Sequence, residues 1–323
     1  MINNSGGSRF GILPNWDPPG FMAQIINFYE RQSENIAKTF GLLIGFVVLF
    51  SLFAYFIGYI YNGSQYFLPF AFLFSLGTSF VSFYFSESIV LAASKAHKAS
   101  KKEYFNFYTV VENISLGTGL PMPKLYVIDD SAPNAFATGR DKHHASIVAT
   151  TGLLESLNRP ELEGVMAHEL SHVGNNDMLL MTVVAVLVGT VVMVMDWFWR
   201  VRIRVGDDDD KKSGAIFLVI ALVFAILTPL IAQLIKFAIS RQREFLADAT
   251  AVKYTRNPTG LVNALIKVAS SKEPLEVANK ATAHLYFENP LDNVQGSEGV
   301  GFLKNLFSTH PPVSERIKRL QEM

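Results

Sequence analysis

The chain has 323 residues, of which 50% are hydrophobic and only 17% are charged. Soluble proteins carry about 25% charged residues, so this composition favours a membrane protein. The formal net charge is zero, which gives no basis for binding nucleic acid. The chain contains no cysteine, and disulfides and thiolate metal sites are therefore excluded.

Residues 1–39 are predicted to form a polar N-terminal extension, since its glycines and prolines argue against one continuous helix. It lacks the basic-then-apolar opening and the cleavage site of a removed signal peptide. Phe21 to Tyr29 could form a short amphipathic helix on a membrane or a partner, but core packing or disorder explains the pattern equally well.

Residues 40–91 are predicted to form a first transmembrane hairpin. The uncharged runs Phe40–Tyr61 and Phe67–Ser86 are each long enough to cross a bilayer as a helix. The connection at 62–66 has no Lys or Arg, whereas basic residues flank both outer ends of the hairpin. By the positive-inside rule both ends lie in the cytoplasm, so that residues 92–177 are expected to be cytosolic.

The segment 92–177 has a mixed pattern of helix and strand. Apolar spacing predicts a helix over Tyr104–Gly117. Alternation predicts strands over Lys124–Ile128, Ala135–Thr138 and Ser146–Thr150, with a polar turn at Arg140–His144 joining the last two. The open edge of such a sheet can bind an extended peptide by strand addition.

The sequence HELSH at 168–172 lies in a run that is free of helix breakers until Gly174. Residues four apart share one face of a helix, so His168 and His172 can bind a single metal ion. Glu169 projects beside them and could take a proton from a water held by that ion. The alternative is a helix with two chance histidines.

A catalytic zinc usually takes three protein ligands and leaves one position open. Glu244 and Asp248 lie four apart in a second helix-forming run, so both carboxylates share a face. Glu244 is expected as the third ligand, with Asp248 accepting a hydrogen bond from a ligand imidazole. Alternatively, both are surface charges paired with Arg241 and Arg243.

Residues 178–237 are predicted to form a second transmembrane hairpin from two uncharged runs, Met178–Met195 and Ala215–Ile235. Five Lys or Arg residues in their connection would lie outside, against the positive-inside rule. Because the histidines precede this hairpin and Glu244 follows it, a shared metal requires both segments to cross or neither. Crossing is favoured because both runs are long, and 238–323 then completes the cytosolic part.

Several motifs resemble the HtpX family of membrane-embedded zinc metalloproteases, which is similar to the CAAX prenyl-protein endopeptidases. They occur from about residue 85 to the end, in the family's order. The motifs are HELSH, RQREFLADATAV at 241–252, PNAFATG at 133–139, ATAHLYFENPL at 281–291 and FSTHPPVSERIKRLQEM at 307–323.

The resemblance implies a substrate-facing strand edge at Asn134, Ala135, Phe136 and Ala137, although an ordinary buried hairpin would show the same pattern. His310, held extended before two prolines, could stabilise an oxyanion in the cleft, or it could have a capping or packing role. His143 and His144 are expected to be solvated, and His97 and His284 to be structural.

These observations predict a mainly α membrane protein with four transmembrane helices and a cytosolic α+β zincin-like (gluzincin) domain with a small sheet. The expected activity is that of a zinc endopeptidase with one Zn²⁺ per chain. The resemblance implies that the protein cleaves misfolded or damaged membrane proteins, or unfolded polypeptide, at the cytoplasmic face of the cell (inner or plasma) membrane. The alternatives are a processing protease for one membrane or prenyl-type substrate, and a non-catalytic scaffold or transporter. The oligomeric state is left open.

Overall fold

A computed structural model describes residues 21–60, 66–205, 240–271, 273–276, 282–288 and 311–323. The predictions for the fourth apolar run, Ala215–Ile235, and for His310 lie outside these ranges. The helices within them are α1 (Phe21–Ile60), α2 (Phe67–Ala93), α3 (Phe105–Thr118), α4 (Thr151–Ser156), α5 (Arg159–Gly174), α6 (Asp177–Val205), α7 (Arg241–Thr255), α8 (Pro258–Ser270) and α9 (Val313–Gln321).

Three helices of the described chain are long and apolar enough to cross a membrane. The segments are Ser33–Leu52 in α1, Leu68–Ala93 in α2 and Asp177–Val194 in α6. Helix α1 begins at Phe21 and continues without a break through the predicted extension into the first apolar run. The reason is local, since no Gly or Pro follows Gly20 until Gly41, and nothing interrupts the backbone hydrogen bonds.

The three apolar helices differ in what they contact. Large apolar side chains on α1 and α2 point outward, and Ile44 and Phe70 are 64% and 71% exposed. In contrast, 72% of the α6 segment is buried inside the protein. Helix α6 packs against α1, α2 and the sheet, and α2 also contacts β3, so both helices join the apolar layer to the rest of the fold.

The sheet has four strands in the order β1-β2-β4-β3, namely β1 (His97–Lys98), β2 (Lys124–Ile128), β3 (Ala135–Asp141) and β4 (His144–Thr150). Strands β2 and β4 are parallel and the other two pairs are antiparallel. The predicted β2 is confirmed at both ends. The β3–β4 hairpin is longer than predicted because Gly139 and Asp141 still pair with Ala145 and His144, which shortens the turn.

Helix α5 is buried along most of its length between α3, α7, α8 and the sheet. Its start is fixed by a capping box, in which the Asn158 side chain accepts from Glu161 N–H and the Glu161 carboxylate accepts from Asn158 N–H. It packs closely on α8, where a Cβ added to Gly164 would lie 2.7 Å from the backbone nitrogen of Leu261.

Candidate metal centre

Three side chains from two helices converge beside the sheet. His168 and His172 lie on α5, and Glu244 lies in the first turn of α7. The two Nε2 atoms are 3.3 Å apart, and the Glu244 carboxylate oxygens lie 3.7 Å from His168 Nε2 and 3.6 Å from His172 Nε2. All three residues are buried.

These distances fit a metal ion with tetrahedral coordination. Zinc lies about 2.0–2.1 Å from imidazole nitrogen and carboxylate oxygen, so tetrahedral ligand atoms are about 3.3 Å from one another. The observed separations of 3.3–3.7 Å match this value. Two imidazoles and one carboxylate also form a donor set that zinc accepts with one position left for water. The residues present therefore fit a catalytic zinc site.

Asp248 lies one turn after Glu244 and contacts the first imidazole. Its Oδ1 is 3.0 Å from His168 Nδ1, so the ring can donate its second N–H to Asp248 while Nε2 faces the metal position. Arg316 of α9 donates to both oxygens of the same carboxylate, at 2.7 and 2.9 Å. Glu244 and Asp248 are only 2% and 1% exposed, so they are not the surface charges of the alternative interpretation.

The second imidazole also has a carboxylate partner, which sequence reasoning missed. Asp177, the first residue of α6, places Oδ2 3.3 Å from His172 Nδ1. The two-residue turn between α5 and α6, with Asn176 at φ +55°, brings Asp177 back toward the end of α5. The sequence offers one hint of this contact, a carboxylate five residues after the second histidine. Helical spacing does not connect the two residues, because α5 ends at Gly174.

Glu169 is 2% exposed, and the backbone N–H of Ala137 in β3 donates to its carboxylate. Burial, with a further contribution from the nearby Glu244 carboxylate, raises the pKa of Glu169 to about 7. A carboxylate with a pKa near neutrality can both accept and release a proton at physiological pH. This property suits a general base.

The two histidines differ in protonation. Burial lowers the pKa of His168 to about 4, and the Arg316 charge acts in the same direction, so the ring is neutral at pH 7. Burial also acts to lower the pKa of His172, but the hydrogen bond to Asp177 and the Glu244 charge outweigh it and raise that pKa to about 9. A metal ion would therefore take the place of a proton on His172.

The predicted substrate edge, Asn134 to Ala137, lies on the last strand of the sheet, but it is buried. The four residues are 0–5% exposed. Phe287 N–H donates to the Ala135 carbonyl at 2.8 Å, and the Asn134 side chain bonds both the N–H and the carbonyl of Glu288. The chain's own residues 287–288 thus fill this part of the edge.

Phe287 also forms one wall of the metal centre, which was not predicted. Its ring centroid lies 5.1 Å from the His168 ring, and Arg316 Cζ lies 4.8 Å from the Phe287 ring centroid. Of the other histidines, His97, His143 and His144 are exposed, whereas His284 is buried with Nε2 3.0 Å from the carbonyl oxygen of Met181. The four lie outside the metal centre.

Two helix-borne histidines and a buried carboxylate that could hold a metal ion, with a second buried glutamate beside them, form an arrangement that suits a metal-dependent peptidase. The comparisons with known proteins agree, because residues 105–323 match peptidase family M48. The chain belongs to this family of metallopeptidases.

The curated relatives match over almost their whole length. A protease HtpX homolog of Thermoanaerobacter pseudethanolicus is 41% identical over 301 residues, covering 91% of this chain and 97% of the relative. A protease HtpX homolog of Tropheryma whipplei strain Twist is 42% identical over 295 residues, covering 91% and 98%. The crystal structure of S. mikatae Ste24p aligns with a TM-score of 0.46 and 18% identity, over 91% of this chain and 67% of that one.

Proposed function

We propose that the protein is an integral-membrane, zinc-dependent endopeptidase that cleaves misfolded or damaged membrane proteins close to the cytoplasmic face. The observation that carries this proposal is the convergence of His168, His172 and Glu244, with separations that suit one tetrahedral ion. Buried Glu169 beside them supplies the base that hydrolysis requires.

The proposed topology has four spans with the metal centre in the cytoplasm. Helices α1 and α2 expose apolar surface suited to lipid, and α6 begins five residues after His172. At about 1.5 Å per helical residue, five residues correspond to about 7.5 Å, so in this topology the metal would lie roughly 10 Å or less from the membrane. Substrate segments lying at the cytoplasmic surface of the bilayer would then be within reach.

In the proposed mechanism each residue has a defined task. A bound zinc ion would polarise the scissile carbonyl and lower the pKa of its water ligand to about 7. Glu169, held by the Ala137 N–H, is placed to accept a proton from the attacking water and would return it to the leaving amine when the peptide bond breaks. Asp248 and Asp177 keep the two imidazoles oriented. His310 stays a prediction for the residue that stabilises the oxyanion.

We propose strand β3 as the place where the substrate main chain is held, through Asn134, Ala135, Phe136 and Ala137. The outward-facing groups of Asn134 and Ala135 already bond residues 287–288. Pairing of a substrate at this end of the edge therefore requires Phe287 and Glu288 to move away.

The activity is tested with the full chain purified in detergent, by measuring zinc content and casein cleavage with and without a chelator. We expect about one zinc per chain, cleavage that the chelator abolishes, and recovery when zinc is restored. Cleavage that persists at the same rate after complete metal removal would contradict the proposal.

The third ligand is tested in the same preparation. Glu244→Ala removes one of the three donor side chains, so the purified variant should lose most of its zinc by atomic absorption. The matched control is Glu163→Ala, which removes a partly exposed carboxylate of α5 that pairs with Arg159 and lies outside the centre. Unchanged zinc content in Glu244→Ala would reject Glu244 as a ligand.

A further inference from the structure

A buried asparagine of α1 is connected to the metal centre. Asn35 Nδ2 donates to Asp177 Oδ1 at 2.8 Å, and Arg243 of α7 donates from Nη1 to Asn35 Oδ1 at 3.0 Å. Asn35 and Asp177 are 5% and 3% exposed, and Arg243 is 9% exposed. The asparagine therefore bridges two charged groups from two other helices, away from solvent.

The chemistry of the neighbours fixes the orientation of this amide. An arginine only donates hydrogen bonds and an ionised carboxylate only accepts them. The amide oxygen must therefore face Arg243 and the NH₂ group must face Asp177. A side chain that cannot both donate and accept would lose the hydrogen bond to at least one of these buried charged groups, which is costly.

Through Asp177, Asn35 is connected to His172, one of the predicted metal ligands. Asp177 uses Oδ1 for Asn35 and Oδ2 for His172 Nδ1, so the asparagine holds one carboxylate oxygen while the other contacts the imidazole. The carboxylate that accepts the second N–H of a ligand imidazole sets the orientation and basicity of the ring. Asn35 is thus one hydrogen bond removed from the group that orients the ligand.

We propose that Asn35 is a positioning residue for the metal centre, so that the first apolar helix takes part in zinc binding although it supplies no ligand. Asn35 lies in α1 within the first candidate span, 142 residues before Asp177. The inference rests on the proposed function, because it requires that His172 binds a metal ion. It goes further because zinc affinity would then depend on the position of α1 relative to α6 and α7.

The first test measures the zinc Kd of the full chain in detergent by competition with a chromophoric chelator. Losing a group that orients a ligand typically weakens metal binding about 10–100-fold. We expect Asp177→Ala to fall in this range and Asn35→Ala to weaken binding about tenfold. Because Asn35 acts through Asp177, the double variant should bind no more weakly than Asp177→Ala alone.

The matched control is Thr39→Val, one turn further along α1. Thr39 is fully buried, and among the residues that the structure describes its hydroxyl bonds the Asn35 backbone carbonyl of the same helix. This substitution removes a buried polar group from the same region without touching the Asp177 carboxylate. Its zinc Kd should equal that of the unchanged chain.

A rescue experiment separates positioning from general packing. Asn35→Asp sets two carboxylates against each other, and Asp177→Asn leaves an amide that cannot satisfy Asn35 and His172 together. The pair Asn35→Asp with Asp177→Asn restores all three hydrogen bonds and reverses only the one between the two positions, since Asn at 177 can donate to Asp at 35 and accept from His172 while Arg243 still donates to Asp at 35. We expect the pair to bind zinc more tightly than either single variant.

Three results would overturn the inference: an unchanged Kd in Asn35→Ala, losses that add in the double variant with Asp177→Ala, or no rescue by the exchanged pair. Failure of the proposed function looks different. In that case the unchanged chain binds no zinc, or His172→Ala binds it equally well, and the inference fails with it. An unchanged chain that binds zinc through His172 but ignores Asn35 refutes only the inference.

Discussion

At the scale of single residues, each predicted histidine ligand has its own carboxylate partner. Asp248 contacts His168 and Asp177 contacts His172, at 3.0 and 3.3 Å. Asp248 is held ionised because Arg316 and His168 outweigh the effect of burial and lower its pKa to about 2. The negative charges of these carboxylates and of Glu244 favour a cation at the centre.

Substitution of Glu169 tests the base without disturbing the metal. Glu169→Gln keeps the size of the side chain and removes its ability to accept a proton, so kcat for casein should fall by at least about 10²–10⁴-fold. Zinc content should stay at the level of the unchanged chain. Cleavage at the original rate would show that another group accepts the proton.

Zinc affinity should depend on pH through His172. Its pKa is raised to about 9, so between pH 6 and 8 the ring carries a proton that must leave when the ion binds. We expect the zinc Kd to fall by roughly tenfold or more per pH unit across this range, with at least one proton released into a weakly buffered solution, because Glu169 beside the ion also titrates near pH 7. His168 adds no further dependence there, because its pKa is lowered to about 4.

A flat Kd between pH 6 and 8 would contradict this prediction. Direct titration of proton release with zinc, in two buffers of different ionisation enthalpy, gives an independent count. His144→Ala is the matched control, because His144 is an exposed histidine outside the metal centre. It should leave the pH dependence unchanged.

The residues found from sequence are those fixed by local periodicity. The four-residue spacing of His168 and His172, and of Glu244 and Asp248, places each pair on one helical face before any tertiary contact is known. Asp177 depends on the turn after α5, in which Asn176 has a positive φ. Asn35 depends on the packing of α1 against distant segments, which no local pattern records.

At the scale of elements, the contact between α5 and α8 holds the histidine helix in place. A Cβ at Gly164 would lie 2.7 and 2.8 Å from the backbone nitrogen and Cα of Leu261. On the other side, a Cβ at Gly260 would lie 2.4 Å from the Pro160 carbonyl oxygen. The two helices can approach this closely only with glycine at both positions.

Gly164→Ala should therefore destabilise the protein. Alanine gains about 1 kcal/mol in helix propensity, but separating two packed backbones costs about 1–3 kcal/mol. We expect a lower Tm in detergent and weaker zinc binding, because His168 lies one turn further along α5. The matched control is Gly117→Ala in α3, where no atom lies within 4 Å of the new Cβ, and its Tm should be unchanged or higher.

The elements themselves were largely readable from the sequence. Alternating side chains predicted β2, and the structure reproduces its bounds, Lys124–Ile128. The start of α1 was predicted too late because polar residues 21–39 were interpreted as an extension, although nothing in them stops a helix. The covering of β3 by residues 287–288 is a long-range pairing, which periodicity does not encode.

At the scale of the whole molecule, the proposed topology can be tested with cysteine chemistry, since the chain has no cysteine of its own. Lys142→Cys places a single thiol in the exposed β3–β4 turn, which the proposal assigns to the cytoplasm. An impermeant maleimide should label it in inverted membrane vesicles and leave it unlabelled in intact cells. The opposite pattern would place the metal centre on the outer side.

Asn62→Cys provides the matched comparison. Residue 62 lies in the connection that lacks Lys and Arg and is assigned to the outer side by the positive-inside rule. Its thiol should be labelled in intact cells. Labelling of both variants from the same side would show that the first hairpin does not cross the membrane.

If strand β3 holds the substrate as proposed, the segment 287–288 that fills its end would compete with the substrate for the same backbone groups. A tethered occupant has an effective concentration in the millimolar range, which a dilute peptide of modest affinity does not match. A damaged protein confined to the same bilayer is also concentrated near the cleft and could displace it. The choice of substrate would then depend on whether the substrate lies in the same membrane rather than on the amino-acid sequence around the cleaved bond.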